Sequence, residues 1–62
     1  MAEEQYFTRD EAAGYLRVPR SFVDKLIEDH DVAVVRMGYR TLRLRRSDLD
    51  RWAAKRVERP RS

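Results

Sequence analysis

The stretch Val34-Val35-Arg36-Met37-Gly38-Tyr39-Arg40-Thr41-Leu42-Arg43-Leu44-Arg45-Arg46 alternates apolar residues and arginines on both sides of a glycine-containing turn. Alternation with period two predicts strands that bury one face and wet the other. The wet face is expected to carry Arg36, Arg43 and Arg45, with Arg40 in the turn. Leu42 and Leu44 point inward, paired with either Val35 and Met37 or with Val34. The continuous run Val32 to Val35 leaves that phase open. A hairpin that is cationic along its side and at its tip suits a groove lined by phosphates. The same arginines would also keep an exposed sheet edge from aggregating. The hairpin alone does not separate the two readings.

Upstream, Thr8-Arg9-Asp10-Glu11 has the spacing of a capping box, in which threonine and glutamate satisfy free amides at a helix start. A helix over 9–16 follows, with Ala12, Ala13 and Leu16 inward and Phe7 and Ala12 forming a weak hydrophobic staple. Gly14 weakens it by about 1 kcal/mol relative to alanine; it either admits a close neighbour or is simply tolerated. Arg17-Val18-Pro19 breaks the pattern, and Pro19 opens a second helix over 20–29. Val23, Leu26, Ile27 and His30 share one face of it, whereas Arg20, Ser21, Asp24, Lys25 and Glu28 share the other. Two short helices joined by three residues make a helix-turn-helix, whose second helix can lie in a major groove. The acidic run Glu28 to Asp31 opposes the dipole of that helix and reads as a solvated turn, with His30 either solvated or packed.

Downstream, Ser47-Asp48-Leu49-Asp50 is a second cap signal. It predicts a third helix over 48–57 that turns Leu49, Trp52, Ala53 and Val57 inward, with Trp52 as the largest core anchor. Residues 1–5 read as a polar lead, 6–57 as one domain and 58–62 as a basic tail.

The composition narrows the function. At 62 residues the chain is near the lower size limit for a self-sufficient fold. It has no cysteine and a single histidine, so a metal site or disulfide staple is not expected. No apolar run approaches the roughly 20 residues of a membrane span, and a soluble, cytoplasmic protein is expected. Residues 1–31 carry four basic and eight acidic side chains, a net of −4, and residues 32–62 carry ten and three, a net of +7. Opposite charge in the two halves suggests one face for a polyanion and another that would let copies stack head to tail. Arginine outnumbers lysine twelve to two, which fits phosphate and guanine contacts. Catalysis is not expected: Ser21, Ser47 and Ser62 have no base beside them, and the acidic pairs Glu3-Glu4 and Asp48/Asp50 read as surface and capping groups. No cofactor or small-molecule ligand is implied.

The pattern Tyr6-Phe7-Thr8, Glu11-Ala12-Ala13, Leu16, Val18, Arg20, Val23, Leu26-Ile27, Val35-Arg36-Met37-Gly38, Arg43-Leu44, Leu49 and Trp52 resembles the small excisionase-type DNA-binding domains of the MerR-like winged-helix group. The resemblance runs from residue 6 to residue 56. It implies an α+β, mostly helical winged helix-turn-helix: two helices, a two-stranded β wing and a C-terminal helix. It implies a second helix in the major groove, bringing Arg20, Ser21, Asp24 and Lys25 to bases and phosphates. The wing would track the adjacent minor groove with Tyr39, Arg40 and Arg43, and reach the backbone with Arg36 and Arg45. Pro19 replaces the usual small polar cap, and Phe22 stands at a normally polar position, where packing, thymine contact and a neighbouring copy are all open.

Full regulators of that group continue into a coiled coil and an effector domain. These 62 residues contain neither, so coiled-coil dimerisation and metal or drug sensing are not expected. Two roles follow from the resemblance. One is an excisionase, or recombination directionality factor, of a phage or mobile element: it would bind cooperatively near an attachment site, bend DNA and direct an integrase toward excision. The alternative is a small freestanding transcriptional regulator on promoter repeats. The expected partners are double-stranded DNA, a cognate integrase and head-to-tail copies of the same chain on DNA. From the charge alone, a protein-interaction module with an acidic partner is a third reading.

Overall fold

The structure is a computed structural model that describes residues 4–58. Its elements are β1 (Tyr6–Phe7), α1 (Arg9–Leu16), α2 (Arg20–Glu28), β2 (Val35–Arg36), β3 (Leu42–Arg45) and α3 (Arg46–Ala54). This is a small α+β fold with three helices and a three-stranded antiparallel sheet, consistent with a winged helix-turn-helix. No helix among the described residues is long and apolar enough to cross a membrane. Apart from Glu58, the expected basic tail lies outside the described residues.

The capping box is formed. Glu11 N donates to Thr8 Oγ1 at 3.1 Å, and Thr8 N donates to Glu11 Oε1 at 2.8 Å. The Thr8 backbone amide, and then its hydroxyl, hold the Glu11 carboxyl below its ordinary value of 4.5. The Phe7 ring lies 5.1 Å from that of Tyr15, so the aromatic before the cap is stapled one turn further along than expected.

Both helices of the pair end in the same way. Arg17 has φ 58°, with Arg17 N donating to Gly14 O and Val18 N to Ala13 O. His30 also has φ 58°, with His30 N donating to Ile27 O and Asp31 N to Leu26 O. These are Schellman stops, normally built on glycine. His30 is therefore an exposed helix stop and does not belong to the packed face of α2. Gly14 is simply tolerated, since a Cβ there would meet nothing within 4 Å.

The sheet order is β1-β3-β2, so the expected two-stranded wing is part of a three-stranded sheet. Tyr6 pairs with Arg45 and Phe7 with Leu44, while Val35 pairs with Arg43 and Arg36 with Leu42. Directly paired residues share a face. Leu42 packs on the core, and so does Val34. Val32 is buried and sets this phase, because Val34 and Arg36 follow it at intervals of two. Arg36 therefore stands on the Leu42 side and reaches solvent at the strand end. It does not share a face with Arg43 and Arg45, and Met37 is exposed.

α3 starts and ends earlier than expected. Arg45 occupies its N-cap position without a side-chain capping bond to the helix amides. Instead Glu4 caps the helix from the chain's other end, its Oε1 accepting from Ser47 N at 3.2 Å and Ser47 Oγ at 2.7 Å. Arg46 N donates to Gln5 O at 2.9 Å. Part of the polar lead is thus bound to α3.

The core is aliphatic: Ala12, Ala13, Val23, Leu26, Val32, Leu44 and Leu49 are buried, with Leu44, Leu49 and Val23 the largest of the fully enclosed side chains. Trp52 is not the central anchor. It packs at the core's edge, with Phe22 edge-on at 5.8 Å and the Arg56 guanidinium 4.3 Å from its ring centre. Val57 is exposed.

Thr8→Ala is expected to cost about 1 kcal/mol in a denaturant titration, and Leu49→Ala about 2–5 kcal/mol, enough to unfold most of a domain this small. Arg17→Gly is expected to stabilise by up to about 1 kcal/mol by relieving the left-handed backbone. Because folding lowers the Glu11 pKa, its contribution is complete above pH 4.5 and is lost as pH falls through the folded value. Urea titrations between about pH 5 and about pH 3 should show a shallower acid loss for Glu11→Gln.

Candidate nucleic-acid interface

α2 presents Arg20, Ser21, Asp24 and Lys25 to solvent. Pro19 fixes the entry at φ −63° and offers no side-chain cap. Phe22 N donates to Pro19 O at 3.0 Å, and no side chain caps the amides before it. The cations on this face are already engaged. Arg20 Nη1 lies 3.2 Å from Asp10 Oδ1 and Arg20 Nε 3.8 Å from Asp24 Oδ1. Arg9 Nε approaches the same Asp24 oxygen at 3.7 Å, and Lys25 Nζ lies 3.8 Å from Asp29. Asp24 is therefore a shared counter-ion of Arg9 and Arg20.

The hairpin is different. Met37 N and Gly38 N both donate to Thr41 O, at 2.7 Å and 3.3 Å, closing a turn from which Tyr39 projects with 92% of its surface exposed. The Arg40 guanidinium sits 5.5 Å from the Tyr39 ring centre. Arg36 and Arg40 are exposed, and Arg43 is half-buried with Nη1 donating to Leu42 O. Among the described residues, no carboxylate lies within ion-pair distance of Arg36, Arg40 or Arg43.

Arg45 departs from this pattern. Its Nε and Nη2 donate to Asp48 at 2.7 Å and 3.1 Å, and Asp48 is only 5% exposed. Hydrogen bonding to Asp48, reinforced by its charge, raises the Arg45 pKa further. Arg45 thus serves first as a structural clamp between β3 and α3.

α1 joins the two surfaces, since it packs against α2 and also against β1 and β3. A second network ties α1 to α3: Tyr15 Oη donates to Asp50 Oδ1 at 2.5 Å, and Arg46 Nε donates to Tyr15 Oη at 3.2 Å. The hydrogen bond to Tyr15 raises the Arg46 pKa, and the charge of Asp50 adds to it. Sequence reasoning missed Glu4, Asp10, Tyr15 and Arg46. Glu4, Asp10 and Tyr15 act across gaps of ten or more residues, where no local spacing signals a partner, and Arg46 reaches Tyr15 across such a gap besides its local contact with Asp50. Elsewhere, a groove of about 340 Å³ separates residues 31–33 from Arg51, Trp52, Lys55 and Arg56 of the α3 side. No cluster among the described residues could hold a metal ion.

A helix-turn-helix and a cationic hairpin carried on one core are consistent with a DNA-binding domain of the winged type. The family described as helix-turn-helix domain matches residues 6–57, and the chain belongs to it. This is a DNA-binding family that includes excisionase-like proteins. No curated protein and no solved structure matches the chain.

Arg45→Ala is expected to lower the melting temperature, because it removes hydrogen bonds from a buried carboxylate. Arg40→Ala should stay within about 0.5 kcal/mol of the parent. Thermal melts followed by circular dichroism measure both.

Proposed function

We propose that the domain binds double-stranded DNA sequence-specifically, with α2 in the major groove and the 37–41 turn in the adjacent minor groove. Arg20, Ser21, Asp24 and Lys25 face base edges and phosphates. Tyr39, Arg40 and Arg43 follow the minor groove. Arg36 contacts the backbone, as does Arg45 through the guanidinium nitrogen that Asp48 leaves free. The observation that carries this reading is the contrast between the unpaired hairpin arginines and the ion-paired helix face. The hairpin supplies sequence-independent attraction, and the helix supplies groups that can read bases.

Within that reading, the chain acts as an excisionase-type architectural protein in the cytoplasm. Copies bind adjacent sites near an attachment site, bend the duplex and direct an integrase toward excision. Bending by about 40–90° costs about 1–6 kcal/mol, more than one small module readily offsets, so several copies act together. Oppositely charged halves of the chain favour head-to-tail neighbours on DNA. Support for this role comes from the sequence pattern over residues 6–56 and from membership of a family that includes excisionase-like proteins.

Footprinting on the DNA flanking its own gene, followed by an excision assay with a neighbouring integrase, tests this reading. Protection near an attachment site and integrase-dependent excision are expected. Protection confined to promoter repeats, with no effect on excision, would make the chain a transcriptional regulator instead. Five phosphate contacts should give a slope of log K against log salt of about −4.5, and Arg36→Ala should flatten it by about 0.9. No retardation of any duplex at low salt would rule out DNA binding.

A further inference from the structure

Asp10 has no part in the capping box, and its carboxylate is nonetheless held against Arg20. The distance from Arg20 Nη1 to Asp10 Oδ1 is 3.2 Å, and the Asp10 side chain is 75% exposed. Arg20 is the first residue of α2, where a cation is disfavoured by the helix dipole. An anion close to its guanidinium offsets that cost. In the free protein Asp10 supplies the anion that a DNA phosphate would otherwise supply. Asp24 adds a weaker second contact, at 3.8 Å, and Arg9 draws on Asp24 from the other side. The charges of Arg9, Asp10, Arg20 and Asp24 cancel. The start of α2 therefore offers little attraction to a sugar-phosphate backbone, unlike the hairpin.

We infer that Asp10 is a specificity-determining residue: it competes with the DNA backbone for Arg20, which leaves it only for an acceptor better than one exposed carboxylate oxygen. This deepens the proposed function and rests on it. A guanine presents O6 and N7 together and accepts both arms of an arginine. A backbone phosphate can also take both arms, but it stays exposed to water and is the same at every sequence, so on unselected DNA it gains little over Asp10. On such DNA the Asp10–Arg20 pair persists, and Asp10 adds repulsion toward the nearest phosphate. On the preferred sequence Arg20 moves to the base. Asp10 thus weakens binding to random DNA more than binding to the chosen site.

The experiment selects duplexes from a random library with the parent protein. It then compares the best selected duplex with unselected duplex in salt-dependent binding titrations. Asp10→Asn is expected to tighten binding to unselected duplex about two- to fivefold, the range for one exposed ion pair, and to steepen its salt slope by about 0.9. Affinity for the selected duplex should change by less, so the ratio between the two narrows. Asp10→Glu keeps the charge and should keep the parent ratio. In an Arg20→Ala background, Asp10→Asn should no longer move the ratio. Equal tightening on both duplexes, an unchanged ratio, or the same narrowing without Arg20 would each overturn the inference while leaving DNA binding intact. A parent protein that enriches no sequence would instead overturn the proposed function. Thermal melts of each variant confirm that the comparison is between folded proteins.

Discussion

The turn from sheet to third helix has no connecting loop: β3 ends at Arg45 and α3 begins at Arg46. What fixes this corner is the two-pronged grip of Arg45 on the buried Asp48 carboxylate. A buried carboxylate without a partner is strongly unfavourable, so its arginine is obligatory once the aspartate is enclosed. The corner in turn sets the direction of β3, on which both β1 and β2 pair, and it brings Leu44 and Leu49 into the same core. With so few large side chains enclosed, an error in that angle would expose a large part of the apolar interior.

Elements whose signals are local could be read from the chain. The Thr8 and Glu11 pair, the proline before α2, and the alternation through Leu42 and Leu44 each act over four residues or fewer, and α1 and β3 lie where those signals put them. Signals that need a distant partner could not be read. Tyr6 and Phe7 form too short a strand to show a period, and only pairing with Leu44 and Arg45 reveals it. Ser47 has the spacing of a cap, but Glu4 takes its place from forty-three residues away. The helix stops at Arg17 and His30 carry no glycine to announce them. The phase of the first hairpin strand depended on which valine of a continuous run is buried, and Val32 decided it. In the candidate interface, the residue types and their exposure on α2 and the turn were legible. Asp48 and Asp24 lie at local spacing from Arg45 and Arg20, whereas the burial of Asp48 and the approach of Asp10 to Arg20 arise only on folding and were not legible.

Charge is distributed unevenly over the candidate surface, and the unevenness separates two tasks. Arginines without counter-ions attract any duplex, and they cluster on the hairpin. Arginine and lysine on α2 sit among aspartates, so that helix gains little from backbone contact alone. On the proposed function, a surface arranged this way would find DNA through one element and distinguish sequences through another. The aromatic Tyr39 at the turn tip, almost wholly solvated in the free protein, adds a broad apolar face to the cationic element without requiring a particular base.

The turn between α1 and α2 is set by main-chain bonds and a proline ring, and Arg20 and Asp24 add ion pairs to Asp10 and Arg9 of α1. Ser21 and Lys25 take no part in any of these contacts, so the presentation of α2 does not depend on them. Replacing Ser21 or Lys25 changes the chemistry offered to a duplex while the scaffold keeps its angle, so new target preferences are open to selection or engineering by small steps at the surface.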